Sequence, residues 1–324
     1  MKNWIAGLAA AFALSTSLTA HAQSAYPTKP IRMVVPYAAG GGLDAITRLV
    51  AQAMSEGLGQ SIVVENKAGG GGMIGADFVA KAIPDGYTIL MAGNPELVIN
   101  PTLITGSRYN VARDFTPVML VAESPNIIVA HPSLKGGLKE IMTGNLRDGG
   151  PMTVGTPGQG SPQHLSVEVL NSLGKPDFVH VPYKGAGPAV VDVLGGQVRL
   201  AITGAPPLMQ HIKSGKLKAL AVTQPQRSSL MPDIPTVEEA SGVKGLDAYS
   251  TWYGLLVPSG TPAPIVDALH KSIATVLARP DIKTKINEMG SEVVALPTTA
   301  FGDRIKSELK RYEEVIRRFN IKAE

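Results

Sequence analysis

Short apolar runs alternate along this chain with longer segments whose apolar positions recur every three or four residues. The run 30–37 (PIRMVVPY) has the continuous β-branched character of a buried strand and leads into Gly40-Gly41-Gly42. Between 43 and 59, Leu43, Ile46, Leu49, Val50 and Ala53 fall on one helical face. Strands are predicted at 61–66 (SIVVEN) and 87–93 (YTILMAG), with a helix at 73–83 that Pro84-Asp85-Gly86 stops. This β-α-β-α-β order implies a parallel sheet covered by helices on both faces. The pattern returns with strands at 152–156, 178–183, 198–204 and 217–223, and with helices over Pro162–Leu173 and near Gly187–Leu194.

Two extended stretches, 115–133 and 249–262, are long enough to run from one α/β unit to the other. The expectation is therefore two doubly wound α/β domains joined by a two-crossover hinge, with a ligand cleft between them. Domain 1 would comprise 23–124 and 251–324, and domain 2 would comprise 125–250. Two helical segments close the chain, Ala263–Leu277 and Thr299–Phe319. The second carries too many charges for an inner core helix and is expected to pack across a surface.

Composition narrows the function. A length of 324 residues suits two domains. With 44% hydrophobic and 17% charged residues, the chain is not a disordered one. A net charge of +4, dispersed along the chain, gives no footprint for nucleic acid. The absence of cysteine excludes disulfides, thiol catalysis and thiolate metal sites. The first 22 residues stand apart: Lys2, an apolar stretch from Ile5 to Leu14, then Ala20-His21-Ala22. They read as a secretory signal peptide cut after Ala22, which implies an exported, soluble mature protein. The alternative is an uncleaved anchor, but the apolar stretch falls well short of the roughly twenty residues that span a bilayer.

Three strand-to-helix loops carry the candidate chemistry. The first holds Tyr37, Ala39, Gly40 and Gly41. Glycine lets backbone N–H groups approach a ligand, and the following helix start offers unpaired N–H groups and a partial positive charge. Its plain reading is a tight turn with Asp44 placed favourably in the first helical turn. The second loop holds Thr156, Gly158, Gly160 and Ser161, with His164 one turn into the helix. Its hydroxyls can donate to a carboxylate, although Ser161 before Pro162 also has the form of a helix N-cap. The third holds Tyr183, Lys184 and Gly185. In an open parallel sheet such loops lie at the carboxyl edge, where ligands bind.

The rival reading is an exported NAD(P)-dependent oxidoreductase. Gly40, Gly42 and Ala45 satisfy the spacing of a dinucleotide fingerprint, and Glu65 stands near the place of a ribose-binding acid. Export argues against a diffusible nicotinamide cofactor, and a triple glycine makes a chance match easy. No nucleophile elbow or phosphate loop occurs. His164 and Glu168 share a helical face, but no histidine has metal-ligand spacing, so neither cofactor nor metal is expected. Trp252 and Tyr253 in the second crossover suit either core packing or a cleft wall.

The stretches YPTKPIRMVVPYAAGGGLD, VVENKAGGGGMIGADFVAKAIPDGYTIL, GTPGQGSPQHLSVEVL, HVPYKGAGPAVVDVLGGQV and WYGLLVPSGTP, in that order, resemble the tripartite tricarboxylate transporter substrate-binding proteins, the Bug family of periplasmic receptors. The likeness runs from Tyr26 to about Phe319. It implies a hinge-closing receptor of the type II periplasmic-binding-protein kind, monomeric and without catalysis. It also implies delivery of a solute to transporter subunits in the membrane, or a sensing role. Carried over, the carboxylate grip would be Tyr37, Ala39, Gly40 and Gly41 from one side. Thr156, Gly158, Gly160, Ser161 and His164 would close on it from the other, with Tyr183, Lys184 and Gly185 following. Tyr37 stands where the family often has Phe, which would add a hydroxyl to the cleft. Asn94, Pro95 and Glu96 stand where small hydroxyl residues are frequent; Asn94 joins the candidate site, and Glu96 is expected on a solvated helix start. Candidate solutes are dicarboxylates, tricarboxylates and aromatic acids. With no arginine in the three loops, no bidentate guanidinium clamp is expected.

Overall fold

The computed structural model describes residues 26–104, 106–144, 150–174, 177–246 and 250–322, so the expected leader at 1–22 lies outside the described residues. The chain opens with β1 (Ile31–Val35), α1 (Gly42–Leu58), β2 (Ile62–Asn66), α2 (Met73–Ala80) and β3 (Thr88–Gly93). β1 pairs in parallel with both β2 and β3, as the β-α-β-α-β pattern requires. Alternation along β1 sorts the side chains between two cores. Ile31, Met33 and Val35 face one with Ile46, Val50 and Met54 of α1, while Val34 faces the other.

The long extended stretch resolves into β4 (Phe115–Ser124) and β5 (Asn126–Ala130), which belong to different sheets, so the chain changes sheet across Pro125. β6 (Met152–Thr156), α3 (Pro162–Leu173), β7 (Phe178–Pro182), α4 (Ala186–Leu194), β8 (Leu200–Gly204) and β9 (Lys218–Val222) follow. They form a five-stranded sheet in the order β7-β6-β8-β5-β9. β5 splits in the same way as β1, with Ile127 and Val129 in one core and Ile128 and Ala130 in the other.

The chain then returns as β10 (Thr251–Pro258), antiparallel between β3 and β4, and β11 (Glu292–Pro297) later completes the six-stranded sheet in the order β11-β4-β10-β3-β1-β2. α5 (Ala263–Ala278), α6 (Pro280–Glu288), β11 (Glu292–Pro297) and α7 (Thr298–Arg318) cover this first unit. Periodicity had not pointed to α6 or β11. β11 is a half-buried edge strand, and its apolar run is too short and too weakly alternating to stand out. α7 packs across the sheet through Phe301, Ile305, Glu308 and Tyr312, and its other positions are mostly charged. Phe301 lies edge-on to Trp252 at 5.4 Å, in the space that a Cβ on Gly254 would fill. Among the described residues no helix is long and apolar enough to cross a membrane.

Candidate functional site

Three helices begin at one place. α1 follows β1, α3 follows β6 and α4 follows β7, so their N-termini all project from the carboxyl edges of parallel strands. They border one small cavity of about 50 Å³, where Gly41 and Gly42 face Ser161, Gln163 and Ala186. The two units touch at its rim. The Ala38 N–H donates to the Lys184 carbonyl at 2.9 Å, and a Cβ on Gly187 would stand 2.8 Å from the Ala39 carbonyl.

In the first loop, Gly41 caps α1 without a side chain, so the first N–H groups of α1 meet no capping oxygen from it. Asp44 does not fill that gap. Its carboxylate turns back to accept from the Gly40 N–H at 3.0 Å, from Arg48 at 2.9 Å and from Asn66 Nδ2 at 3.0 Å. Burial pushes the Asp44 carboxyl up, but the bonds from Arg48, Asn66 and Gly40 outweigh it and hold it below its usual range. Asp44 therefore lines the cavity as a charge already neutralised by its neighbours. Gly40 and Ala39 are exposed at the rim. Tyr37 lines the cavity through its ring, while its hydroxyl donates to Glu96 Oε2 at 2.7 Å. Burial, and then Glu96, raise that phenol well above its ordinary value.

The second loop is held from within. Gly160 donates its N–H to His164 Nδ1 at 3.2 Å, and Ser161 Oγ accepts from the His164 N–H at 3.1 Å, so Ser161 is an N-cap as its position before Pro162 suggested. Its hydroxyl proton stays available at the cavity. His164 stacks on His180 at 4.3 Å, and His180 Nε2 meets Thr156 Oγ1 at 2.7 Å. Desolvation, and then the neighbouring His180, lower His164 to about 3, and desolvation lowers His180 to about 4. Both rings are neutral props beneath the loop. Gly158 has φ +144°, and a Cβ there would meet the Tyr183 carbonyl at 2.8 Å. In the third loop the Tyr183 hydroxyl bonds Asp192, Lys184 is exposed, and Gly185 at φ +136° lets the chain pass close to Ala38.

The stretch after β3 differs from expectation. A helix start is there, as expected, over Pro95–Ile99 and then Asn100–Leu103, but the Pro95–Ile99 turn is buried, not solvated. Asn94 does not line the cavity: its Oδ1 accepts from the Trp252 N–H at 2.9 Å, and its Nδ2 reaches Glu308 Oε2 at 3.3 Å. Glu96 is not solvated but fully buried, accepting from the Gly93 N–H at 2.6 Å and from Tyr37. Burial is the largest influence on Glu96 and raises it to about 7 against the lowering effect of its hydrogen bonds. The charge-based expectation failed because Pro95 starts a turn that points inward, and the local sequence carries no sign of it. Glu65 pairs with Lys67 at 2.7 Å and Arg32 at 3.2 Å at the surface.

Periodicity also missed several wall residues. Gln163 lies in the first turn of α3; its Nε2 donates to Asn126 Oδ1 at 2.7 Å and to Thr251 Oγ1 at 2.8 Å, and Thr251 donates to the same Asn126 oxygen at 2.7 Å. Asn126 and Thr251 begin β5 and β10, one at each change of sheet. Tyr253 is cleft wall, while its neighbour Trp252 is core. The helix-start position of Gln163 was the one usable signal. The Asn126 and Thr251 partnership is tertiary.

Two α/β units joined by two crossovers, facing each other over a cavity bordered by helix N-termini, define the class of two-domain solute-binding proteins. The chain belongs to the tripartite tricarboxylate transporter receptor family, whose profile (TctC, tripartite tricarboxylate transporter family receptor) matches residues 46–321. It is similar to the periplasmic binding protein BugD, at 34% identity and a TM-score of 0.84 over 92% of this chain and 100% of that one. Rpa4515 of R. palustris, solved with adipate, is 31% identical with a TM-score of 0.87, covering 92% of this chain and 99% of its own. MatC from Rhodopseudomonas palustris, with bound malate, is 31% identical with a TM-score of 0.83, covering 90% and 100%.

Proposed function

We propose that this chain is an exported periplasmic receptor that captures a small carboxylate-bearing solute between its two units. It hands that solute to tripartite tricarboxylate-type membrane subunits, or reports it as a sensor, and it catalyses no reaction. The observation that carries the reading is the meeting of three helix N-termini, from both units, at one cavity. Their first-turn N–H groups favour an anion without any arginine or lysine on the wall. The grip is Gly41 and the start of α1 on one side, and Ser161 with the starts of α3 and α4 on the other. Tyr37, Ala39, Gly40, Thr156, Gly158, Gly160, His164, Tyr183, Lys184 and Gly185 shape the loops. The units 23–124 with 251–324, and 125–250, close on the solute about the crossovers.

Mass spectrometry of denatured purified protein tests this, followed by a thermal-shift panel of acids. A retained carboxylate, and added stability of about 2.7 kcal/mol at a hundredfold excess over Kd, are expected. Small-angle scattering should show a smaller radius of gyration with that acid bound. Stoichiometric NAD(P) would overturn the reading and restore the oxidoreductase.

A further inference from the structure

The cavity wall carries one committed acceptor. Gln163 is 2% exposed, and both hydrogens of its Nε2 are spent on Asn126 Oδ1 and Thr251 Oγ1. The reverse amide orientation would set its oxygen against the Asn126 oxygen, which also receives the Thr251 hydroxyl, so the hinge residues dictate which end of the amide is left over. That end is Oε1, which has no hydrogen-bond partner among the described residues, on a side chain that borders the cavity. Ser161 Oγ already accepts from the His164 N–H, and the Tyr37 hydroxyl is tied to Glu96. Asp44 is held by Gly40, Arg48 and Asn66, and Thr251 by Gln163 and Asn126. The helix starts supply donors only. A carboxylate satisfies those donors but offers nothing to Oε1.

We propose that Gln163 determines specificity, selecting solutes that carry a hydroxyl, ammonium or amide donor beside the carboxylate and disfavouring plain alkyl and aryl acids. This rests on the carboxylate reading of the cleft. A plain acid displaces water from this acceptor and leaves it unpaired, whereas a hydroxy or amino acid pairs it. Because the same amide bonds the first residue of β5 and the first of β10, the donor also steadies both crossovers in the closed arrangement.

The test is calorimetric titration of the mature protein with matched acids: succinate against malate, glutarate against glutamate, and phenylacetate against mandelate. The donor-bearing member of the pair that fits should bind at least about tenfold tighter. Gln163→Met keeps the length and removes the acceptor, so it should bind both members of that pair within about twofold. Should that variant not fold, Gln163→Leu, which also removes the acceptor, should likewise bind both members within about twofold. Wild-type protein that binds the plain member as tightly, or variants that keep the full preference, overturns the role of Gln163. Binding of no acid in the panel would instead count against the carboxylate reading itself.

Discussion

Strand β10 divides two regions that handle polar groups in opposite ways. Behind it, Trp252 donates its indole N–H to Glu308 Oε2 at 2.7 Å, Arg304 reaches the same carboxylate at 2.8 Å and also pairs with Glu123, and Asn94 completes the bracket. Glu96 lies buried nearby on the turn after Asn94. On its cavity side, Thr251 and Tyr253 meet Gln163, Ser161 and glycine backbone, all uncharged apart from Asp44, which is paired. Ser250 bonds Glu123 at 3.3 Å, while Thr251 bonds Asn126, so the second crossover is gripped by both regions at once. The lesson concerns dielectric. Buried ions fix a geometry strongly but tolerate no rearrangement, because a broken pair leaves a charge without water. Neutral amides and hydroxyls hold more weakly and can exchange a partner for a ligand. The rigid bracket lies within the six-stranded unit, and the exchangeable one lies at the cavity between the two units.

The strongest way to break this contrast is Glu308→Ala. It strands the buried Trp252 indole N–H and takes one of two carboxylates from Arg304, and chemical denaturation should show a loss of about 3 kcal/mol. Affinity per folded molecule should change little, because none of these groups lines the cavity. A variant of near wild-type stability would mean that the charged bracket contributes nothing.

Glu96 makes the contrast depend on pH. Its folded value near 7 stands above its ordinary 4.5, so between those values the folded state keeps a proton that the unfolded chain has released. Stability should therefore be full below about 4.5 and fall through that window by on the order of 3 kcal/mol, levelling off above about 7. Glu96→Gln should flatten the profile in urea melts run across this range. A wild-type profile already flat there would place the Glu96 carboxyl in water.

The smallest effect belongs to the cavity side. Ser161→Ala removes the cap on α3 and should lower apo stability by about 1 kcal/mol. Affinity should also drop about tenfold, since Ser161 lines the cavity and its hydroxyl, accepting from His164, still has a proton to donate. Stability lost with affinity intact would leave Ser161 a cap alone.

The alternation of β-branched runs with 3.6-residue periodicity determined by itself two α/β units, and the glycine loops marked the edges where helices start. Those are local properties. A strand between glycines and an amphipathic helix can be read from spacing, because each obeys its own backbone geometry. The loops of α1 and α3, and the Ser161 cap, were legible for that reason. The tertiary structure alone decided which side of β10 each polar group faces. Asn94 and Glu96 directly flank the cavity-lining Pro95, yet they point away from the cavity, because Trp252 and Tyr37 offer them partners. Gln163 acquires its orientation from Asn126 and Thr251, 37 and 88 residues away in the chain. Spacing cannot report such bonds, since their energy depends on desolvation and on partners that meet only when both sheets are in place.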